Sequence, residues 1–453
     1  MARRREFLRQ VAVGSAAYLG GCAEPAAPPA PDAGSGPVCG QDPPPEPPAL
    51  DYPAASYFEA LGVDLDAAGI GSPVVLLDMD RVDGNIDAIA AGIPPPLHYR
   101  IVEKSLPSLD LLAYVSSRAA TNRFLVMHLP FLAELLGALP AAEVLVGKAH
   151  LTSAVARFFD AQPATEHAAL AARVAFLADG PERLAELEAL ASRLGVTLRV
   201  AVEIDVGLRR SGLGDPAELP ALLDVFLAST TLQLAGLLGY DGHIAHSPAG
   251  TRSSLDAAWA AATQVYQSFV DVLRQPRYAA LDRPDLIFDS GGTASFPMYT
   301  SGTPVNDVAA GGGVLRPGTY PDHVISALRP AIFIATPVLR QYAEPRMPFF
   351  TAAQSACLLA NLQGLTLQGG VWPSHFSHPA GIRPAPFMTE PGDHPMVPNQ
   401  ALCTAPAATP LSPGDWVFFH PLQADALFQF EEILLVRGGR LTPDRMAPYP
   451  RRY

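Results

Sequence analysis

Short hydrophobic segments alternate with stretches of helical periodicity along most of the chain. Residues 72–80 predict a buried strand with acidic side chains at its end, and the spacing of Val82, Ile86 and Ile89 predicts a helix over residues 81–92. A second apolar strand runs up to Lys104, and a second helix is predicted over residues 108–119. Six more short strands follow between helical stretches, at residues 124–128, 144–146, 174–178, 198–204, 234–238 and 286–289.

This alternation of strands and helices is typical of a parallel sheet. About eight repeats in about 250 residues fit a closed barrel better than an open sheet, so we predict an α/β fold with a TIM-type (β/α)8 barrel over residues 56–325. Beyond it, β-branched and aromatic strands are separated by Pro/Gly turns, at residues 331–339, 416–420 and 428–436. We therefore predict a mostly antiparallel β domain over residues 326–453.

The first 22 residues have the pattern of an export signal. Arginines at positions 3–5 precede Phe-Leu and a short apolar run that is too short to span a membrane, as in twin-arginine signals. The sequence Leu-Gly-Gly-Cys that ends at Cys22 resembles a bacterial lipobox, with Cys22 as the lipidated residue. The pattern predicts a periplasmic, lipid-anchored protein, and the alternative is an Ala/Gly-rich start that ends in cysteine by chance. Residues 23–55, rich in Pro and Ala, predict a disordered tether.

Composition narrows the classes of function. The 453 residues carry a net charge of -13 and no basic stripe, which argues against a nucleic-acid partner and favours a small-molecule substrate. The four cysteines have neither CxxC pairs nor zinc-ribbon spacing, so neither a disulfide framework nor a cysteine-built metal site is indicated.

Chemistry-bearing residues follow several of the predicted strands, where the functional groups of a barrel collect. Lys104 ends an apolar strand, and there a partly desolvated amine can act as a nucleophile and form a Schiff base. The alternative is an ordinary solvated lysine. Residues 202–212 carry two carboxylates and two arginines, and residues 236–243 bring together Tyr240, an aspartate and His243. His243 is equally compatible with a loop position.

Two glycine-rich segments, residues 288–295 and 311–320, come after the last predicted barrel strands. Glycines let backbone N–H groups approach an anion, and barrels often bind phosphate in the loops after their last two strands. A glycine-rich loop alone is weak support for a phosphate site, but this position strengthens it.

In this order the motifs resemble the fold-type III pyridoxal phosphate (PLP) enzymes, over roughly residues 70–440. The resemblance is to the branch of D-threonine aldolase and eukaryotic-type D-serine dehydratase, with alanine racemase more distant. It rests on the order of six motifs: Pro-Val-Val-Leu-Leu-Asp at 73–78, Val-Glu-Lys-Ser at 102–105, Glu-Ile-Asp-Val-Gly at 203–207, Gly-Tyr-Asp-Gly-His at 239–243, Gly-Gly-Thr at 291–293 and Arg-Pro-Gly-Thr-Tyr at 316–320.

The resemblance implies a role for each of these residues. Lys104 would hold PLP through a Schiff base, and Arg209 or Arg210 would lie with Tyr240 against the cofactor ring or its hydroxyl. The phosphate would be held by Gly291, Gly292, Thr293, Thr319 and Tyr320. Relatives are commonly homodimers, which the resemblance makes an expectation here.

The chain departs from the family pattern in two places. Familiar members read Arg-Pro-His-x-Lys-Thr-His-Lys, whereas Arg100 and Lys104 are present here without either histidine. The aldolases and dehydratases also bind a divalent metal through His-x-Asp or His-x-Cys, and here His420 is followed by Pro-Leu, which cannot supply that ligand. Asp425 is an alternative ligand from farther along, so the sequence leaves a metal open.

The first functional expectation is a D-threonine aldolase-like lyase that cleaves a β-hydroxy-D-amino acid to glycine and an aldehyde. Lys104 would hold the cofactor, and His243 or His420 would take the proton of the β-hydroxyl. The alternatives are a D-serine dehydratase-like ammonia-lyase and an alanine-type amino-acid racemase. A hypothesis of another class is a non-catalytic, membrane-tethered binding protein with the same fold.

Overall fold

The computed structural model describes residues 50–246, 252–320, 325–346, 350–370, 372–385, 396–397 and 399–450. The predicted signal (1–22), its Cys22 lipidation site and nearly all of the predicted tether lie outside the described residues. Within the described part of the chain, no helix combines the length and the apolar character needed to cross a membrane.

The chain alternates strands and helices up to Ala310. The strands are β1 (Val74–Asp78), β2 (His98–Val102), β3 (Arg123–Val126), β4 (Glu143–Val146), β5 (Val174–Ala178), β6 (Leu198–Glu203), β7 (Leu232–Gly239), β8 (Ile287–Ser290) and β9 (Asp307–Ala310). The helices are α1 (Ala55–Ala67), α2 (Met79–Gly92), α3 (Leu109–Arg118), α4 (Leu129–Ala138), α5 (Thr152–Asp160), α6 (His167–Arg173), α7 (Pro181–Leu194), α8 (Leu219–Ala228) and α9 (Arg252–Leu273). Strands β2 to β9 close into a parallel barrel, which confirms the predicted fold.

The remaining strands form a second, mostly antiparallel sheet, which is also confirmed. They are β10 (Ile332–Tyr342), β11 (Leu362–Gln368), β12 (Trp372–His378), β13 (Arg383–Pro384), β14 (Met396–Val397), β15 (Gln400–Pro406), β16 (Trp416–Pro421), β17 (Ile433–Arg437) and β18 (Arg440–Met446). The main path of the sheet runs β13-β15-β11-β10-β1-β17-β18, and β16 joins it through β10.

The assignment of β1 to the barrel was wrong. This strand lies in the second sheet, antiparallel to β10 and parallel to β17. Helix α1 belongs to the same layer, because Phe58, Leu61 and Leu65 pack with Trp416 in the core on that side. The predicted boundary at residue 56 therefore misplaces the first segment. A continuous apolar run predicts burial on both faces but not the sheet in which a strand pairs.

The register of β2 places the chain after it at the barrel rim. Ile101 pairs with Phe124 of β3 on one side and with Ala310 of β9 on the other. The strand ends at Val102, and a single 3-10 turn carries Glu103–Ser105. The Ser108 side chain then caps α3 by accepting a hydrogen bond from the Leu111 N–H at 3.4 Å. Lys104 is thus fixed between a paired strand and a capped helix.

Residues 345–360 belong to a small compact unit. Its described part contains α10 (Ala352–Leu358), which begins with a capping box between Thr351 and Gln354. Cys357 takes part in a disulfide bond, whereas Cys403 is a free, buried thiol. Cysteine spacing therefore did not predict this disulfide bond.

Candidate active site

An open cavity of about 610 Å³ lies at the carboxyl ends of the barrel strands. Its walls include Lys104 after β2, Gly147 after β4, Arg210 after β6 and Tyr240 after β7. The barrel interior beneath is lined partly by alanines, among them Ala201, Ala235 and Ala309. Because these side chains are small, the upper end of the barrel is not filled, and space remains for a ligand.

Lys104 is exposed where it lines this cavity, whereas its neighbour Glu103 is fully buried. Glu103 Oε2 accepts a hydrogen bond from the Met127 N–H at 3.3 Å, which ties the lysine turn to the end of β3. Burial raises the pKa of Glu103 to about 7, and the nearby Lys104 and Lys148 charges oppose that rise only in part. The turn is therefore anchored by one side chain and exposes the next one to the cavity.

Three glycines bring the backbone close to the cavity. Gly291 has a φ of 92°, in the left-handed region that favours glycine. A Cβ on Gly311 would lie 2.7 Å from Val102 Cβ, and one on Gly312 would collide with the Tyr320 hydroxyl. The Gly313 N–H donates to Thr293 Oγ1 at 2.9 Å, which joins the two glycine-rich segments. The result is a cradle from which side chains are excluded.

The structure resolves the choice between the two arginines after β6. The Arg209 side chain is 81% exposed and faces Asp205, so the prediction of a cofactor contact for Arg209 was wrong. Arg210 lines the cavity, lies 4.9 Å from the centre of the Tyr240 ring and pairs with Glu203 at 3.3 Å. Because Glu203 is buried, it holds the guanidinium in place.

Asp289 belongs to a cluster of buried ionisable side chains next to the cavity. Asp289 lines it and forms an ion pair with the fully buried Arg100 at 3.6 Å. Arg100 also pairs with Asp307 at 3.2 Å, and Arg123 reaches Asp307 at 2.7 Å. Burial raises the pKa of Asp289 well above its usual value, against the lowering effect of Arg100. The arginine retained from the family pattern therefore lies inside the barrel.

A second cavity, of about 740 Å³, adjoins the first and shares Tyr240, Gly292, Thr293 and Tyr320 with it. Thr319 also lines it, and its hydroxyl donates to the Leu422 carbonyl at 2.9 Å. All five residues predicted to hold the phosphate thus line one cavity or the other, as do Lys104 and Tyr240.

The structure does not bring the two predicted catalytic histidines to these cavities. His243 lines neither of them, and its ring packs on Gly207, where a Cβ would lie 3.0 Å from His243 Nε2. His420 is fully buried, with Nδ1 3.0 Å from the Tyr52 hydroxyl and Nε2 2.7 Å from the Arg316 carbonyl. Both ring nitrogens of His420 are occupied, so its assignment as a catalytic base was wrong.

The same contacts bear on the metal candidates. His420 has no ring nitrogen left to bind a metal, and Asp425 is exposed in the turn Ala424–Gln429. Across the part of the chain that the structure describes, no three His, Cys, Asp or Glu side chains are grouped to hold a metal ion. His420 and Asp425 therefore do not fit the family's metal site.

We expect substitution of His420 by glutamine to alter the pH dependence of stability. Burial lowers the pKa of His420 to about 3. Below pH ~6.5 the unfolded chain binds a proton that the folded chain refuses, so stability falls as the pH drops. The loss reaches about 2 to 3 kcal/mol by pH ~4.5. Urea unfolding at several pH values should show this slope in the wild type and a shallower slope in His420→Gln. Equal slopes would contradict a buried neutral imidazole.

Sequence reasoning missed three residues of the site. Asp289 and Gly147 lie at strand ends and line the cavity. Functional groups collect at the ends of barrel strands, so the rule that identified Lys104 applies to them as well. Asp241 was noted as part of a rim cluster without a role of its own, and the structure buries it against the second cavity. Their side-chain types gave little signal, because aspartate and glycine are common in loops.

Comparison with known proteins gives a family match and solved structures with the same fold. Residues 77–282 match the family profile described as alanine racemase, N-terminal domain. The chain is 26% identical over 234 residues to the alanine racemase of Mycolicibacterium smegmatis (strain ATCC 700084 / mc(2)155), an alignment that covers 49% of this chain and 56% of the relative. The chain thus spans about half the length of the curated relatives it matches.

Two solved structures resemble most of the chain. The D-threonine aldolase of Filomicrobium marinum has a TM-score of 0.61 at 18% identity, covering 84% of this chain and 97% of the aldolase. The D-threo-3-hydroxyaspartate dehydratase of Delftia sp. HT23 has a TM-score of 0.63 at 17% identity, covering 84% and 98%. At this identity the likeness concerns the fold. Over residues 77–282 the chain is therefore similar to the alanine racemase N-terminal domain, and it shares the fold of these solved structures, a parallel barrel with a mostly antiparallel second sheet.

Proposed function

We propose that this protein is a PLP-dependent enzyme acting on D-amino acids, with Lys104 as the residue that holds the cofactor aldehyde. The observation that carries the proposal is the position of Lys104. Lys104 lines a cavity together with the cradle glycines Gly291, Gly311 and Gly312.

The residues present fit the group. Backbone N–H groups of the glycine-rich segments and the Thr293 and Tyr320 hydroxyls would hold its phosphate. The Tyr240 ring offers an aromatic face, and Arg210 stands against that ring. Arg210 also places a positive charge at the cavity, and its ion pair with Glu203 holds the guanidinium in position.

When bound, PLP supplies an electron sink for the bond that breaks at the substrate's α-carbon. The protein orients the substrate and moves protons. Burial raises the pKa of both Tyr240 and Tyr320, so their hydroxyls stay protonated at neutral pH and donate hydrogen bonds. Lys104 lines the cavity, and its amine, when it is not bound to the cofactor, would be a group there that can accept a proton.

Within this class we favour aldol cleavage of a β-hydroxy-D-amino acid to glycine and an aldehyde. Likeness of fold to D-threonine aldolase supports it. D-serine dehydratase-like elimination is the nearest alternative, supported by likeness to D-threo-3-hydroxyaspartate dehydratase. Racemisation is supported by the match to alanine racemase, which extends over about half of the chain.

Product analysis separates these activities. Purified protein loaded with PLP would be incubated with D-threonine, D-serine, D-alanine and L-alanine, with and without manganese. Glycine plus acetaldehyde supports the aldolase, ammonia plus an oxo acid supports the dehydratase, and inversion of alanine supports the racemase. No product from any substrate would contradict the proposed enzyme and favour a binding protein with this fold.

The paired arginines provide a matched test of the cavity. We expect Arg210→Ala to lower kcat/KM about tenfold or more, because it removes a charge from the cavity wall and leaves the buried Glu203 without its cation. Arg209→Ala should stay within about twofold, because that side chain is solvent-exposed. The measurement is steady-state kinetics on the substrate found above, with PLP content determined for each variant. Equal losses in both variants would contradict the assignment.

A further inference from the structure

Asp241 is a buried carboxyl group with one oxygen unused by the fold. Its side chain is 1% exposed, and Oδ2 accepts a hydrogen bond from the Tyr299 hydroxyl at 2.8 Å. Tyr299 is itself fixed by Ser290, whose hydroxyl lies 2.8 Å away. Neither Asp241 Oδ1 nor the neighbouring Ser295 Oγ has a hydrogen-bond partner among the described residues. Buried polar atoms are normally paired. The Ser295 hydroxyl acts on the Asp241 carboxyl, but neither atom makes a well-formed hydrogen bond, so both are available to a ligand.

Both orphan atoms face Gly292. Asp241 Oδ1 and Ser295 Oγ each lie 4.0 Å from the point that a Cβ on Gly292 would occupy. Asp241 and Ser295 line the second cavity together with Gly292, Thr293, Thr319 and Tyr320. Those four residues are part of the proposed phosphate site. An anion held by this loop would therefore have a carboxyl group beside it.

Two negative groups cannot share a dry cavity without cost, so the charge state of Asp241 decides what it does. The groups that face it are the Tyr299 and Ser295 hydroxyls, His243, the Tyr240 hydroxyl and the Asp289 carboxyl. Burial raises the pKa of Asp241, and the two hydroxyls and His243 offset that rise only in part. The neutral form is the one that can donate a hydrogen bond.

We infer that Asp241 is a neutral carboxylic acid when cofactor is bound and donates a hydrogen bond from Oδ1 to the phosphate group. The inference rests on the proposed function and adds a residue to its phosphate site. Oδ2 keeps its bond from Tyr299 in either charge state, so the carboxyl is already oriented. Ser295 Oγ supplies a second donor beside it.

The inference has a consequence for pH. Below the raised pKa, Asp241 is neutral and contributes to phosphate binding. As the pH rises through that pKa, the carboxyl ionises, the donated hydrogen bond is lost and repulsion replaces it. Phosphate binding should therefore weaken toward alkaline pH more than the ionisation of the cofactor alone would cause.

The test compares PLP with pyridoxal, which has the same aldehyde and no phosphate. Equilibrium binding to the full chain would be followed by visible absorption between about pH 5 and about pH 9. For the wild type, the ratio of the two dissociation constants should shift against PLP by about tenfold or more across this range. Asp241→Asn keeps a donor at the same place without a titratable charge, so its ratio should shift by no more than about twofold across this range. The control Asp282→Asn, at an exposed position, should show the same shift as the wild type.

Each outcome decides a different point. A wild-type ratio that does not change with pH overturns the inference, and this measurement stands even if Asp241→Asn fails to fold. An unaltered pH dependence in folded Asp241→Asn, or tighter PLP binding by that variant at every pH, also overturns it. Wild-type protein that binds neither PLP nor pyridoxal overturns the proposed function instead.

Discussion

Replacement of Lys104 by alanine is expected to abolish covalent attachment of PLP and to lower turnover by at least about a thousandfold, because it removes the amine that binds the cofactor aldehyde. Purified wild-type protein should absorb visible light after incubation with PLP. Borohydride should then fix the cofactor to the chain, and mass spectrometry of the digested protein should find the added mass on the peptide containing Lys104.

The chain provides a matched control for this experiment. Lys148 is an exposed lysine that directly follows Gly147, which lines the same cavity. The Lys148 charge lowers the pKa of both Glu103 and His128, so Lys148 lies in the same electrostatic environment as Lys104. We expect Lys148→Ala to retain the visible band and the borohydride-fixed adduct. If the adduct still forms in Lys104→Ala, or is lost only in Lys148→Ala, the assignment of the cofactor to Lys104 is wrong.

Much of the barrel was predictable because its strands are short, apolar and regularly interrupted by helices. Strand β5 was predicted with the bounds that the structure has, Val174–Ala178, since all five residues are apolar and buried. The position of Lys104 followed from the same reasoning. In a parallel barrel the residues that follow each strand all lie at the same rim, so their location does not depend on which strands are paired.

Features that depend on distant pairing were not predictable from local pattern. Strand β1 reads as a buried strand, but its partners β10 and β17 lie more than 250 residues away in sequence. His420 ends a predicted strand, as an active-site histidine would, yet the structure places it within β16, where Tyr52 and Arg316 occupy both its ring nitrogens. Arg209 and Arg210 are adjacent in sequence, yet Arg209 faces Asp205 and Arg210 lines the cavity. Only three-dimensional contacts distinguish such cases.

Replacement of Arg100 by methionine is expected to destabilise the folded protein by about 3 to 5 kcal/mol. The arginine is fully buried, pairs with Asp289 and Asp307, and donates to the Phe124 carbonyl at 3.1 Å. Methionine fills similar space without the charge, so two buried carboxyl groups lose their shared cation. Urea unfolding of wild type and variant measures the difference. Arg118→Met, which removes an ion pair with Asp87 at the surface, should cost no more than about 1 kcal/mol.

The pH dependence of that loss distinguishes charge from packing. Without Arg100, burial raises the pKa of Asp289 with less opposition, so the folded state holds a proton that the unfolded chain has released. Stability then falls as the pH rises through the interval between the two pKa values. Arg100→Met should accordingly be more destabilised at about pH 8 than at about pH 5, and adding Asp289→Asn should recover about 1 to 2 kcal/mol at the higher pH. A loss that is independent of pH and unaffected by Asp289→Asn would mean that Arg100 stabilises the barrel by its packing rather than by its charge.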